Sequence, residues 1–352
     1  MFCKTPVTVR GKADVELRTG KDDDGRRLDR ILRKALPGLP LSGIHRLLRQ
    51  KQVLVDGLPG EAPARVRSGQ LIRIEGLDRA GTGKKPRAGT RAVPAGKPLR
   101  IIWEGAGLLA LDKAPGVQVH GPGSLDGQVQ AYLEKKLRAS LSFRPGPLHR
   151  LDKPTSGILV FSASLEGARF FSALLHARLI KKRYLALVDG KLGEAALWEE
   201  TLVRDARLKK TGASALPAAG PAGEQEGGPF PGKAKTARTR VFPLAVAGGY
   251  SLVLFEIETG RTHQIRSQAA FHGHPLAGDR KYGGSFLEGG LLLHALSLEF
   301  PAGPGAKPES GALFAACPDE LRGKKLTAEP PSAFLTQIRR IFGEKIPEFI
   351  VQ

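Results

Sequence analysis

Between Asp78 and Lys97 the chain reads DRAGTGKKPRAGTRAVPAGK, with four Gly, two Pro, six Lys or Arg and almost nothing to bury. A segment of this composition does not offset the backbone entropy it would give up on folding, so it reads as a flexible basic linker. Whatever folds must fold on either side of it. The 352 residues are enough for two cores without disulfide or metal staples. Cys3 and Cys317, the two cysteines, exclude a disulfide framework and a cysteine-built zinc site. A second stretch, Thr211–Gly232, holds 15 Gly, Pro or Ala in 22 residues and reads as a disordered surface insertion. We place an N-terminal extension at 1–20, a small module at 21–77, the linker at 78–97 and a large module at 98–345.

In the small module Leu28, Ile31, Leu32, Ala35 and Leu36 recur at helical spacing until Pro37–Pro40 stops them. Ser42 is expected to cap a second helix that carries Ile44, Leu47 and Leu48. Val53 and Val55 alternate into an Asp56-Gly57 turn, and Leu71, Ile72 and Ile74 make a later strand. Residues 26–51 contain eight cations (Arg26, Arg27, Arg30, Arg33, Lys34, Arg46, Arg49 and Lys51) and one acid, Asp29. Such a patch repels itself unless a polyanion covers it, which points to RNA or DNA more than to a solvated helix face.

The large module mixes both periods. Strands are expected at Arg100–Trp103, Leu108–Asp112, Gly157–Ala163, Arg183–Asp189, Tyr250–Glu258 and Leu291–Phe300, and helices at Gln128–Arg138 and Leu165–Ile180. The elements do not alternate strictly, so the expected class is α+β with a mixed sheet.

The net charge of +21 favours a polyanionic partner and says nothing about the fold. No run reaches the ~18 apolar residues of a membrane span, and the first residues lack a secretory core. The expectation is a cytoplasmic, non-membrane monomer. Gly227–Ala234 copies the spacing of a phosphate loop, but Ala234 stands where Ser or Thr is needed and no strand precedes it. His263, His272, His274 and Asp279 cluster, yet match no zinc spacing, so no metal is expected.

Three polar stretches look too specific for packing. LHRLDKPTSG (148–157) presents Asp152 from a Pro/Gly loop running into an apolar strand, where a carboxylate could act or merely cap the turn. ETGRTHQIR (258–266) puts Arg261 where a strand ends and Thr262 could cap a helix. KKRY (181–184) brings Tyr184 into a strand.

Together with LALDKAPGVQVHGP upstream and SQAAFHGHPLAGDRKYGG downstream, these stretches resemble the RluA-type pseudouridine synthases, in the family's order over most of residues 100–300. The small module resembles the αL RNA-binding motif first known from a small-subunit ribosomal protein. Asp112 replaces the family's usual Asn and Ala114 separates Lys113 from Pro115, which leaves that loop without an assigned role. Ser267-Gln268 stands where Val-His is common, away from the arginine of interest.

The resemblance implies a catalytic domain on a mixed, mainly antiparallel sheet flanked by helices. It also implies isomerisation of uridine in RNA to its carbon-linked isomer. No group is imported and nothing is oxidised, so no cofactor is expected. Asp152, Tyr184 and Arg261 are the implied catalytic set: Asp152 to attack the ribose or remove a ribose proton, Arg261 to keep it ionised, Tyr184 to face uracil. Arg150 could fill the space of a flipped base or contact phosphate, with His149 and Thr155 beside it. Arg30, Arg46, Arg49 and Lys51 are the expected RNA contacts of the small module. Large-subunit (23S) ribosomal RNA is the favoured target. The alternatives are transfer RNA, a non-catalytic RNA-binding assembly protein, or a metal-dependent nuclease built on the histidine cluster.

Overall fold

The computed structural model describes residues 13–77, 98–121, 123–134, 136, 140–205, 210–215, 234–305, 310–343 and 346–347. Along the chain run β1 (Ala13–Arg18), α1 (Leu28–Ala35), α2 (Leu41–Arg49), β2 (Val53–Val55), β3 (Leu58–Pro59), β4 (Leu71–Leu77), β5 (Ile101–Gly105) and β6 (Leu108–Lys113). Next come α3 (Leu125–Glu134), β7 (Ser156–Ser162), α4 (Leu165–His176), β8 (Lys181–Asp189), β9 (Ala196–Asp205), β10 (Lys210–Ala215) and β11 (Lys235–Ala247). The rest are β12 (Tyr250–Ile257), α5 (Gln264–Phe271), β13 (Leu293–Glu299), α6 (Ser310–Ala315), β14 (Lys325–Thr327) and α7 (Ser332–Phe342). They form two compact units. The first takes the described residues ahead of the linker plus Gly121–Gly146 and Ala163–Glu166, and the second takes the others.

In the first unit Leu28, Ile31 and Leu32 of α1 and Ile44, Leu47 and Leu48 of α2 bury against Val53, Ile72 and Ile74 of an antiparallel sheet ordered β1-β4-β2-β3. Asp56 and Gly57 both have positive φ (48° and 84°), the turn type whose twist suits a two-residue hairpin. Three details depart from the expectation. β1 lies inside the supposed 1–20 extension and pairs with β4, so the folded unit begins earlier. Residues 121–146 group with this unit and not with the large module. Finally, α2 starts at Leu41 after Pro40, with no side-chain cap from Ser42. Asp23 explains part of the regrouping. Its carboxylate is fully buried and accepts hydrogen bonds from Gly20 N–H, Ser140 Oγ, the Leu141 and Ser142 amides and Ser142 Oγ.

The second unit is built on a sheet ordered β10-β9-β11-β12-β8-β13-β7-β6-β5, with β14 added to β13. Its pairs are antiparallel except β13 with β7, in agreement with the expected mixed α+β class. Phe334, Ile338 and Phe342 of α7 pack with Leu185, Leu187 and Leu252 on one face. By strand alternation Lys182 and Tyr184 lie on the other face of β8. Of the expected helices, α3 begins three residues earlier, at Leu125, and α4 begins at Leu165 as expected but ends at His176. Part of the expected insertion is corrected: Thr211–Ala215 belongs to β10, which pairs with β9 through its backbone and so needs no apolar side chains. The remainder of that insertion and the 78–97 linker lie outside the described residues. Among the described residues no helix is long and apolar enough to cross a membrane.

Candidate active site

Asp152 sits in the loop that enters β7, and the loop is tied down at several points. Leu148 N–H donates to the Val160 carbonyl at 2.8 Å, and Thr155 N–H to the Asp152 carbonyl at 3.1 Å. Gly157, the last residue of the motif, has φ 103° and lies so close to β13 that a Cβ would meet the Ala295 carbonyl at 2.2 Å. Only glycine fits there. Lys113, buried at the end of β6, donates to the carbonyls of Ala114, Val117 and Lys153 at 3.0, 3.1 and 3.1 Å. All three ammonium protons thus clamp backbone, including the residue after Asp152. Burial pushes Lys113 down to about 8 although Asp152 and Asp112 pull the other way. The loop that had no assigned role is therefore what steadies the Asp152 loop.

The arginine at Asp152 is Arg266, and this corrects the expected Arg261–Asp152 pair. Arg266 Nη1 lies 3.3 Å from Asp152 Oδ2, while Nε and Nη2 form a two-pronged contact with Asp279 at 2.7 and 2.8 Å. Burial disfavours its charge, but Asp279 and then Asp152 more than offset that and hold Arg266 above its ordinary value. Arg261 is exposed; its Nε donates to the Thr236 carbonyl at 3.1 Å. The reason is helical geometry. The helix starts at Gln264, so Arg261 precedes it while Arg266 lies within its buried first turns. A signal existed: QIRSQAAF is neutral or apolar apart from Arg266, and a buried helical arginine demands acids. The cluster considered for a metal contained one of them, Asp279. Among the described residues no group of three or more His, Cys, Asp or Glu is placed to hold a metal ion.

His263, in the left-handed region at φ 54°, stands at the position before the helix that Thr262 was expected to fill, with no side-chain cap bond. Its Nε2 stands 3.7 Å from Asp152 Oδ2 and its Nδ1 2.8 Å from the Tyr282 hydroxyl. Tyr282 Oη accepts from Thr211 N–H at 2.8 Å, and the Asp152 carboxylate beside Nε2 favours the tautomer in which Nδ1 accepts the Tyr282 proton. The Nε2–H of His263 then faces Asp152. Burial first, then Arg266 and other cations, outweigh Asp152 and push His263 down to about 4, so it is neutral near pH 7. Tyr184, 7% exposed on β8, is raised above its ordinary value by burial and then by Asp152. It stays a phenol, and its hydroxyl has no partner among the described residues.

The remaining expected contacts divide. Arg150 is exposed and donates to Thr262 Oγ1 at 3.1 Å, which also receives Arg204 at 3.3 Å. Thr155 is buried and closes the loop instead of facing solvent. His149 accepts from Val160 N–H at 3.0 Å and stacks on Phe171; burial and then Lys182 push it down to about 3. Thr155 is thus held inside the scaffold, and His149 is half-buried with one ring nitrogen committed to Val160. In the first unit Arg30, Arg46, Arg49 and Lys51 are exposed, and none pairs with a carboxylate among the described residues.

The sequence model of the family described as RNA pseudouridylate synthase matches residues 107–271, which include Asp152, Tyr184 and Arg266. Ribosomal large subunit pseudouridine synthase D of Nitrosomonas europaea is 34% identical over 272 residues, covering 76% of this chain and 72% of that protein. Ribosomal large subunit pseudouridine synthase C of Haemophilus influenzae is 30% identical over 299 residues, covering 81% and 86%. Among solved structures, human RNA pseudouridylate synthase domain containing 4 superposes with a TM-score of 0.52 at 23% identity, over 68% of this chain and 92% of that one, which supports the fold. With the family model spanning the loop, strand and helix that assemble Asp152, Tyr184 and Arg266, and a relative 34% identical over 76% of this chain and 72% of its own length, the chain belongs to the RluA-type family of RNA pseudouridine synthases.

Proposed function

We propose that this isomerase acts on uridines of large-subunit ribosomal RNA and that Asp152 is the carboxylate that acts on the ribose. The observation that carries the reading is the setting of Asp152: an anchored carboxylate facing Arg266 and a phenolic Tyr184. Attack on the ribose and removal of a ribose proton both require the ionised acid, and Arg266 stands beside it as counter-charge at 3.3 Å. Once the glycosidic bond breaks, uracil must be held while it turns. Tyr184 offers a flat face and a hydroxyl free to receive or give a hydrogen bond. A uridine stacked in a helix is out of reach, so it is flipped out, with Arg150 at the mouth of the site. The names of the relatives and the exposed cations of the first unit support this target. Such RNA is met in the cytoplasm, and one chain supplies every group named, so a monomer suffices.

The test is to map pseudouridine across total RNA from cells carrying the wild-type gene, no gene, or Asp152→Ala. One or more positions in large-subunit RNA should lose pseudouridine in the last two. Purified Asp152→Ala should turn over at least ~10³-fold more slowly with RNA affinity nearly unchanged. Missing positions confined to transfer RNA would overturn the target; an active Ala variant would overturn the role of Asp152.

A further inference from the structure

Along KKRY the cations alternate in fate. Lys181 pairs with Glu299 at 3.5 Å, and Arg183 pairs with Glu256 at 3.0 Å and Glu299 at 3.3 Å. Lys182 lies between them and on the Tyr184 face, and its ammonium has no hydrogen bond or carboxylate among the described residues. It is not out in solvent either: a Cβ on Gly260 would stand 3.7 Å from its Nζ, so the ammonium lies against the turn that carries Arg261. Arg261 uses its Nε on Thr236, and its terminal nitrogens have no partner among the described residues. The charged or titratable groups that act on Lys182 are Arg261 and His149, and no carboxylate among the described residues pairs with it. Burial and then Arg261 push it down to about 8. Two neighbouring cations without a counter-ion are unfavourable unless an anion completes them.

We infer that Lys182, with Arg261 beside it, is a specificity contact of the active site that binds a backbone phosphate next to the isomerised uridine. This rests on the reading that RNA is the substrate. It gives the mouth of the site a means of fixing the strand while the base is turned over. A phosphodiester suits the pair because it is a monoanion with two free oxygens for two separate donors.

The experiment uses the full chain with in vitro transcripts of large-subunit ribosomal RNA and of transfer RNA. The transcript that wild type modifies serves as substrate; modification of neither would overturn the RNA reading before any variant is compared. On that substrate Lys182→Met should raise KM about tenfold and lower the slope of log affinity against log salt by about 0.7–0.9, one phosphate contact. The loss should fall on KM and not on kcat. The melting temperature of Lys182→Met should hold or rise, because the variant removes an unbalanced charge. Lys182→Arg should keep the salt slope. It should also bind as well at pH 9.5 as at pH 7, whereas wild type weakens as its ammonium discharges. A Lys182→Met enzyme with unchanged salt slope and KM but lower kcat, or with a lowered melting temperature, would overturn the proposal in favour of a role on the base or in the fold.

Discussion

At the scale of single residues, the site turns on which arginine meets Asp152. Removing Arg266 leaves two acids facing each other, and Asp279 is only 2% exposed. Arg266→Met should therefore cost about 3–5 kcal/mol of stability. Asp152 also loses the cation that holds it, so single-turnover isomerisation should fall at least about tenfold. Arg266→Lys should fall in between, since it keeps charge but not the fork. Arg261→Met should weaken RNA binding and leave single-turnover isomerisation at saturating enzyme close to wild type. Single-turnover rates at saturating enzyme distinguish them. An equal loss of rate in Arg261→Met would restore the pairing expected from sequence. Position 261 was attractive because it leaves a strand ahead of a helix. The actual helix start, two residues beyond Thr262, decides otherwise.

At the scale of elements, Asp23 links the β1–α1 connection to residues 140–142, although more than a hundred residues separate them. Burial works to raise its carboxyl, but the bonds from Ser142, Gly20, Leu141 and Ser140 prevail and hold it below the usual carboxylate range. Asp23→Asn turns an NH₂ group toward these donors and should cost about 2–4 kcal/mol in urea unfolding at pH 7. Because the folded value lies below the unfolded one, the stabilisation is full above about pH 4 and is lost as pH falls through the folded value. The gap between wild type and variant should shrink at pH 3; a gap independent of pH would show that shape and not charge carries the effect. β10 makes a related point. Its Ala, Gly and Ser read as disorder, yet Thr211 supplies an amide to Tyr282 beside the site.

At the scale of the whole molecule, charge and protonation dominate. Replacing Arg30, Arg46, Arg49 and Lys51 by Gln should flatten the salt dependence of RNA affinity by up to about 3 in slope while single-turnover chemistry at saturating enzyme persists. An unchanged slope would leave the patch a solvated surface. Acid should also unfold the protein through its buried histidines. Burial pushes His149 down to about 3 and His263 and His294 to about 4. Each binds fewer protons folded than unfolded, so stability is lost as pH falls from about 6.5 toward those values. His294 receives Ser156 Oγ–H at Nδ1 and donates from Nε2 to the Ala328 carbonyl; an Asn keeps the acceptor for Ser156 and removes the titrating ring. His294→Asn should lessen the acid-side slope of stability by up to about 1.4 kcal/mol per pH unit. A calorimetric series from pH 7 to 4 reads it directly.

What the residues alone determined is the local and the compositional. Helical spacing placed α1 and α2, apolar runs placed β6, β7, β8 and β12, and the unopposed cations indicated a polyanion. The loop LHRLDKPTSG announced Asp152, because a rigid polar turn between apolar strands is visible in one dimension. Tertiary structure alone decided who meets whom. Arg266 comes to Asp152 and Asp279, Lys113 to the carbonyl beside Asp152, and Tyr282 to His263, from separations of 13 to 114 residues. These are pairings of buried polar groups, each forced by the need to satisfy a charge or proton away from water. Such a need fixes the kind of partner a residue must have, and only packing fixes which one it receives.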